Sequence, residues 1–430
     1  MNLTTQPYKG ARDFYPEDKR LQKYMFSTLR KVVESFGYQE YDAPIIEPLE
    51  LYLSKSSDEI VSEQTYSFTD RGDRKVTLRP EMTPTVSRMV AGRRQELAYP
   101  LRWYSLPELW RYERPQAGRL RQHYQLNVDL FGVSDISADH EIILVADNVM
   151  QAFGAGRDDY SIRLNSRLLI NEILSDYIDG SEEQILAVMR LIDHKAKLPH
   201  EDFLQALSEL APGGQAKQLV EILSIKQFED LPEKYKNHPS VAQLLELKKL
   251  LTASGVTNAI DDLSLMRGFD YYTDIVFEIF DTHPENNRSM FGGGRYDGLV
   301  AQFGVEPVPT VGFGMGDVTL QRFLDLHKLV PKLKPETDAM VILIGNVYEP
   351  AQAALSELRQ MGVNAAVDST GRKLDAQIKS AVKSGVRFAI FIGEKELADN
   401  EFKLRDLEKG EEKQLSLSQI ASTLSVQKNG

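Results

Sequence analysis

The stretch Arg111 to Asp129, RYERPQAGRLRQHYQLNVD, decides how this chain is read, because its polar residues fall at every second position on both sides of a turn. Arg111 and Glu113 precede the turn; Arg121, His123, Gln125, Asn127 and Asp129 follow it. Read as two strands of a hairpin, these residues share one face, while Leu120, Tyr124, Leu126, Val128 and Leu130 suit a core. A sheet face carrying Arg, Glu, His, Gln and Asp is costly to desolvate unless a polar ligand occupies it. The pattern points to an anionic, hydrogen-bond-rich ligand; the alternative is a half-exposed strand pair with a solvated charged face. The turn itself, Arg114-Pro115-Gln116-Ala117-Gly118-Arg119, extends two arginines from a loop, and guanidinium groups bind phosphate bidentately.

The rest of the composition bounds the setting of that face. At 430 residues, 42% hydrophobic and 27% charged, the chain has room for two or three cores. No apolar run approaches the roughly 20 residues that span a bilayer, and MNLTTQPYKGARDF lacks the apolar segment of a signal peptide, so a cytoplasmic protein is expected. Cysteine is absent, which removes disulfides, thiolate nucleophiles and cysteine-ligated zinc. The seven histidines are scattered without a metal-binding spacing; His140, in the first turn of a helix begun by Ser137, reads as a solvated side chain. A net charge of −12 argues against a generally basic surface, yet five arginines face two glutamates between Arg102 and His123.

Outward from the hairpin, residues Pro16 to Phe36 form an amphipathic helix pattern with Leu21, Met25, Leu29, Val32, Val33 and Phe36 inward. YQEYDAPIIEP is strand-like, and RKVTLRPEMTPTVSRMV runs from strand to helix, carrying Glu81 and Thr83 at the junction. Ile142, Val145, Ala146, Val149 and Phe153 make a further apolar helix face. From about 168 to 257, Leu/Ile/Glu/Lys-rich helical spacing replaces the strand patterns, as an inserted helical subdomain would. Strand patterns resume with MRGFDYYTDIVFEIF and FGGGRYDGLV. Residues 327–337, with Pro331 and Pro335, read as a linker, and the alternation beyond it predicts a separate α/β domain at 338–430 with a mixed or parallel sheet. There Arg372, Lys379 and Lys383 would align on one helix face, either solvated or turned to a partner.

Three further segments carry chemistry. Arg267-Gly268-Phe269-Asp270-Tyr271-Tyr272 places a cation and two phenols before a strand. Gly292-Gly293-Gly294-Arg295-Tyr296-Asp297 would let backbone approach a ligand closely. Gly312-Phe313-Gly314-Met315-Gly316 opens a helix near Asp317. None is a Walker A loop or a Rossmann fingerprint.

Together with the hairpin, these segments resemble the class II aminoacyl-tRNA synthetases, and closely the histidyl-tRNA synthetase family. The resemblance runs from KGARDFYPED to FIGEKELADNEFKLRDL. YDAPIIEP corresponds to motif 1, the hairpin to motif 2 and TVGFGMGDVTL to motif 3; RGFDYY and GGGRYDG resemble the family's two histidine signatures. The resemblance implies an α+β fold, a class II antiparallel sheet flanked by helices. It divides the chain into a catalytic core at 1–326, interrupted by the helical insertion, and a C-terminal anticodon-binding domain. It implies a two-step reaction: L-histidine and ATP give histidyl-adenylate and pyrophosphate, then histidine passes to the 3′ end of tRNA(His). Motif 1, with Pro44, implies a homodimer.

The same resemblance assigns roles. Arg111 and Arg267 bracket the α-phosphate and the histidine carboxylate. Glu113 takes the adenine amino group, His123 stacks on adenine, and Arg119 holds the distal phosphates, with Mg²⁺ expected to bridge them. Glu81, Thr83 and Gln125 hold the substrate amino group; Asp129, Tyr272 and Tyr296 surround the imidazole, with Tyr271 beside them. Arg114 and Gln116 meet the tRNA acceptor end, and the terminal domain gives the stripe Arg372, Lys379 and Lys383 a tRNA to contact. Three positions depart from the family pattern: His123 replaces a larger aromatic residue, Asp129 a glutamate, and Thr319 a motif 3 arginine, for which Arg322 one turn on is a candidate substitute. A synthetase-like regulatory protein that binds histidine is the competing reading.

Overall fold

The computed structural model describes the chain except residues 1–2, 54–63, 115–117, 179–180, 194, 196–197, 212–213, 267–270, 287 and 429–430. Two compact units are present, Met1–Asp13 with Lys23–Val330, and Phe14–Gln22 with Pro331–Gly430. The amphipathic helix expected near the start spans Pro16–Ser35, with acidic Glu17 and Asp18 in its first turn, where they suit the helix dipole. Met25, Leu29 and Val33, one turn apart, are buried.

The larger unit is organised by a nine-stranded sheet. In spatial order it runs Gln39–Glu40, Leu101–Ser105, Gln122–Phe131, Thr310–Gly316, Ser289–Arg295, Ile275–Asp281, Tyr160–Ser166 and Ala259–Asp261, with Glu108–Trp110 also pairing Gln122–Phe131. The interior pairings are antiparallel, while the short strands at both edges pair parallel. A parallel neighbour needs a crossover. Between Tyr160–Ser166 and Ala259–Asp261 that crossover is the helix-rich segment expected at 168–257, which runs from Arg167–Tyr177 to Pro239–Ala253.

The opening hairpin forms with a shorter first strand than its alternation suggested. Glu108–Trp110 pairs with Gln122–Tyr124, and beyond it the Arg111 amide still donates to the Arg121 carbonyl at 2.8 Å. Leu101–Ser105 pairs the other half, Asn127–Phe131. Pro107, which has no N–H, lies at the break between these two partner strands, and its carbonyl accepts from the Gln125 amide at 3.1 Å. Leu126, Val128 and Leu130 are buried as the period of two requires. Each stabilises the fold by about 1.5–3 kcal/mol relative to exposure. Helix Ile136–Ala152 packs on strands Gln122–Phe131 and Thr310–Gly316, burying Ile142, Val145, Ala146 and Val149. Its cap is Asp135, whose side chain accepts from the Ser137 amide at 2.9 Å, and His140 is hydrogen-bonded to Ser254 Oγ at 2.9 Å rather than simply solvated.

The triple glycine serves strand packing, which corrects its reading as a place of close ligand approach. Gly292, Gly293 and Gly294 lie inside Ser289–Arg295. A Cβ on Gly293 would stand 1.9 Å from the Gly312 carbonyl oxygen, and one on Gly292 2.2 Å from that of Phe277. Successive side chains then diverge to opposite faces. Arg295 turns to a buried ion pair with Asp139 and to the Val133 carbonyl, whereas Tyr296 bonds Asp129.

The smaller unit contains a five-stranded sheet in the order Ala365–Val367, Ala339–Leu343, Phe388–Ile392, Phe402–Asp406 and Glu412–Leu415. Its first two pairings are parallel and the last two antiparallel, so of the two expected arrangements, mixed or parallel, the sheet is mixed. Val341, Leu355, Leu358, Ile390, Ile392 and Ile420 make its core. The basic stripe needs correction. Arg372 precedes helix Leu374–Lys383, and its guanidinium donates to Asp368 and Thr370, both at 2.7 Å. An Asp and a Thr placed four and two residues earlier hold it locally; Arg372, Lys379 and Lys383 are all exposed, but only the two lysines lie on the helix, one turn apart.

Candidate functional site

The polar face of Gln122–Phe131 forms one wall of a pocket lined by Glu81, Thr83, Arg111, Gln125, Asn127, Asp129, Tyr271, Tyr272, Tyr296, Gly312, Phe313 and Gly314. Seven of the eight histidine-site residues expected from the sequence are therefore neighbours; the eighth, Arg267, lies outside the described residues, as does Gln116. Asn127, Gly312, Phe313 and Gly314 join them without having been singled out for this role.

Asp129 forms the floor. It is buried, the Tyr296 hydroxyl donates to its Oδ1, and a Cβ on Gly312 would stand 2.3 Å from that same oxygen. Glycine at 312 is thus a steric requirement for the carboxylate. Burial pushes Asp129 up to about 7, against the downward pull of the Tyr296 hydrogen bond. Burial, then the Asp129 charge, raises the Tyr296 hydroxyl, which stays a donor. The Tyr271 ring lies 4.9 Å from that of Tyr272 and 5.7 Å from that of Tyr296, so three phenols enclose one side of the pocket. Tyr271 also donates to Glu81 Oε2 at 3.3 Å.

Glu81 is held by its neighbours in sequence. Arg79 donates to the Glu108 and Ala43 carbonyls, and Arg111 Nε donates to the Pro80 carbonyl at 2.8 Å. Arg111 therefore fixes the backbone that presents Glu81 while its Nη1 stands 3.9 Å from Glu113. On the other side of the Glu113 carboxylate, Arg119 Nη1 stands 3.8 Å away. Arg114 is exposed. Arg121, which shares the alternation, faces the loop instead: it stacks on the Tyr112 ring at 3.9 Å and donates to the Glu113 carbonyl.

His123 is neutral across the physiological range, because burial, then Arg111 and Arg12, pull it down to about 3. Arg12 was not foreseen. It donates to Asp317 Oδ2 at 2.7 Å, and Asp317 Oδ1 accepts from the Tyr124 amide at 2.8 Å, which joins the start of helix Asp317–Leu326 to the hairpin. Thr319 Oγ1 turns back to the Gly316 carbonyl at 2.9 Å. Arg322 donates to Asn286 Oδ1 at 3.0 Å and to the Glu285 carbonyl. Among the described residues no group of three or more His, Asp or Glu side chains is arranged to hold a metal, and no helix is long and apolar enough to cross a membrane.

The pocket thus brings a buried carboxylate, three phenols and Arg111 together, and Glu113 stands between Arg111 and Arg119. The family described as histidyl-tRNA synthetase matches residues 10–318, and the anticodon binding domain family matches 338–427. The histidine--tRNA ligase of Leptospira biflexa is 41% identical over 94% of both chains, and that of Haloarcula marismortui 37% identical over 95% of both. A crystal structure of histidyl-tRNA synthetase from Nostoc sp. PCC 7120 shares the fold with a TM-score of 0.82 over 99% of this chain and all of that one, at 24% identity.

Proposed function

The chain belongs to the histidyl-tRNA synthetase family, and from that premise we propose how its residues divide the reaction. The enzyme is a histidine–tRNA ligase: it activates L-histidine with ATP to histidyl-adenylate and pyrophosphate, then transfers histidine to the 3′ end of tRNA. The observation that carries the residue assignment is the Asp129–Tyr296 pair beneath a cage of tyrosines. Asp129 accepts an imidazole N–H, and the phenols complete the ring's hydrogen bonding; an apolar side chain would leave these buried groups unpaired. Glu81, Thr83 and Gln125 receive the α-amino group.

At the other end, Arg111 and Arg267 hold the histidine carboxylate against the α-phosphate and stabilise charge in the in-line displacement. Glu113 accepts from the adenine amino group, neutral His123 stacks on the base, and Arg119 meets the distal phosphates. A Mg²⁺ bound with ATP would neutralise charge on the phosphates beside Arg119. Arg114 and Gln116 orient the acceptor end of tRNA(His).

Residues 1–326 act as the catalytic core, with the insertion at about 168–257; 327–337 is the linker, and 338–430 binds the anticodon. The two family matches support that division. The enzyme works in the cytoplasm as a homodimer through the motif 1 segment around Pro44, a reading supported by the exposed Ile45 and Ile46. Charging of tRNA(His) transcripts with labelled histidine tests the function: histidine should be esterified to tRNA in an ATP-dependent manner. Histidine binding without charging would favour a regulatory histidine-binding protein.

A further inference from the structure

Three guanidinium groups from distant parts of the chain meet beside the motif 2 loop. Arg119 follows the turn, Arg288 precedes strand Ser289–Arg295, and Arg322 lies in helix Asp317–Leu326. The amide of buried Asn286 aligns two of them: its Oδ1 accepts from Arg288 Nε and from Arg322 Nε, both at 3.0 Å. Asn286 is itself fixed, since its Nδ2 donates to buried Asp281 at 2.7 Å. Gly118 provides the clearance. A Cβ there would stand 2.2 Å from Arg288 Nη2 and 3.7 Å from the Thr319 methyl group, so the Arg288 guanidinium occupies the space beside Thr319. Burial, then Arg322 and Arg119, make the Arg288 charge costly to hold. Like charges brought together on preset hydrogen bonds form a receptor for a multiply charged anion.

We propose that Arg288, aligned by Asn286 with Arg322 and facing Arg119, binds the β- and γ-phosphates of ATP and supplies the guanidinium that Thr319 does not. It rests on the ATP-dependent reading of the site given above. Thr319 and Arg288 are thus two halves of one exchange: a short side chain on the helix leaves room for an arginine arriving from the sheet. Arg322, the substitute expected from sequence, acts as a partner in the cluster. In the forward step a histidine carboxylate oxygen bonds to the α-phosphorus as the bond from that phosphorus to the bridging oxygen breaks; the electron pair of the broken bond leaves on pyrophosphate, and the cluster receives that charge.

The test compares the full-length enzyme with Arg288→Ala and Arg288→Gln. Exchange of labelled pyrophosphate should lose about a hundredfold in kcat/KM for ATP, with KM for pyrophosphate raised and KM for histidine within about twofold. Calorimetry should show wild type binding ATP more tightly than AMP, with Arg288→Gln collapsing that difference while AMP affinity is kept. Adding Thr319→Arg to Arg288→Ala should restore part of the ATP affinity. Unchanged kinetics for ATP, an equal loss for histidine and ATP, or a loss confined to transfer onto tRNA would each overturn the assignment. A wild type without histidine-dependent exchange would sink the synthetase reading instead, and the ATP–AMP comparison would still decide on Arg288.

Discussion

The Tyr296 hydroxyl donates to Asp129 Oδ1 at the floor of the pocket, where both residues are buried. The pair is poised rather than ionised, since burial lifts Asp129 to about 7. An imidazole N–H arriving opposite would favour the carboxylate, so binding and ionisation are coupled.

Stability should record that poise. An unfolded aspartate ionises near 3.9, whereas folded Asp129 keeps its proton to about 7. Between about 4 and 7 the unfolded state binds fewer protons, so this residue lowers stability as pH rises, by a few kcal/mol in all. Asp129→Asn removes the titration and should gain on wild type between pH 5 and 8 in urea midpoints, while losing about a hundredfold in histidine activation. A midpoint difference independent of pH would contradict this.

Arg111→Ala should slow pyrophosphate exchange about a hundredfold, roughly 3 kcal/mol of transition-state stabilisation. Arg111→Lys should recover little, because the fork that reaches the Pro80 carbonyl is lost with the guanidinium. Exchange at the wild-type rate in either variant would remove Arg111 from the chemistry.

Much of this site was legible because it is periodic. The alternation His123, Gln125, Asn127, Asp129 placed four side chains on one face, and the motifs around Glu81, Tyr271 and Tyr296 supplied the others. Alternation could not show which charged groups are consumed within the loop, so Arg121, stacked on Tyr112, looked like a ligand-facing residue. Nor could it foresee tertiary pairs such as Arg12 with Asp317, which are 305 positions apart. Arg288 gave no local signal, and helical spacing misplaced Arg372, whose captors Asp368 and Thr370 lie just ahead of the helix.

Gly312→Ala should abolish histidine activation by driving a methyl group onto Asp129 Oδ1 and the Val128 carbonyl, 2.3 and 2.6 Å from the new carbon. Gly298→Ala, with nothing within 4 Å, should be neutral. Histidine titrations of the two variants by calorimetry check the contrast; tight binding to Gly312→Ala would contradict the place of Asp129 at the floor of the pocket.

Lys379 and Lys383, rather than Arg372, should carry any phosphate contact of that helix. Replacing both with Ala should weaken tRNA binding and reduce the salt slope by about one per lysine, leaving pyrophosphate exchange intact. Arg372→Ala should leave that slope unchanged. Filter-binding titrations across salt concentrations measure it, and a double-lysine variant with the wild-type slope would return both side chains to solvent.

The most direct measurement is exchange of labelled pyrophosphate into ATP without tRNA, run with each amino acid in turn. The site described here predicts exchange with histidine alone, in a chain that carries Thr319. Exchange with another amino acid, or none with histidine, would contradict it.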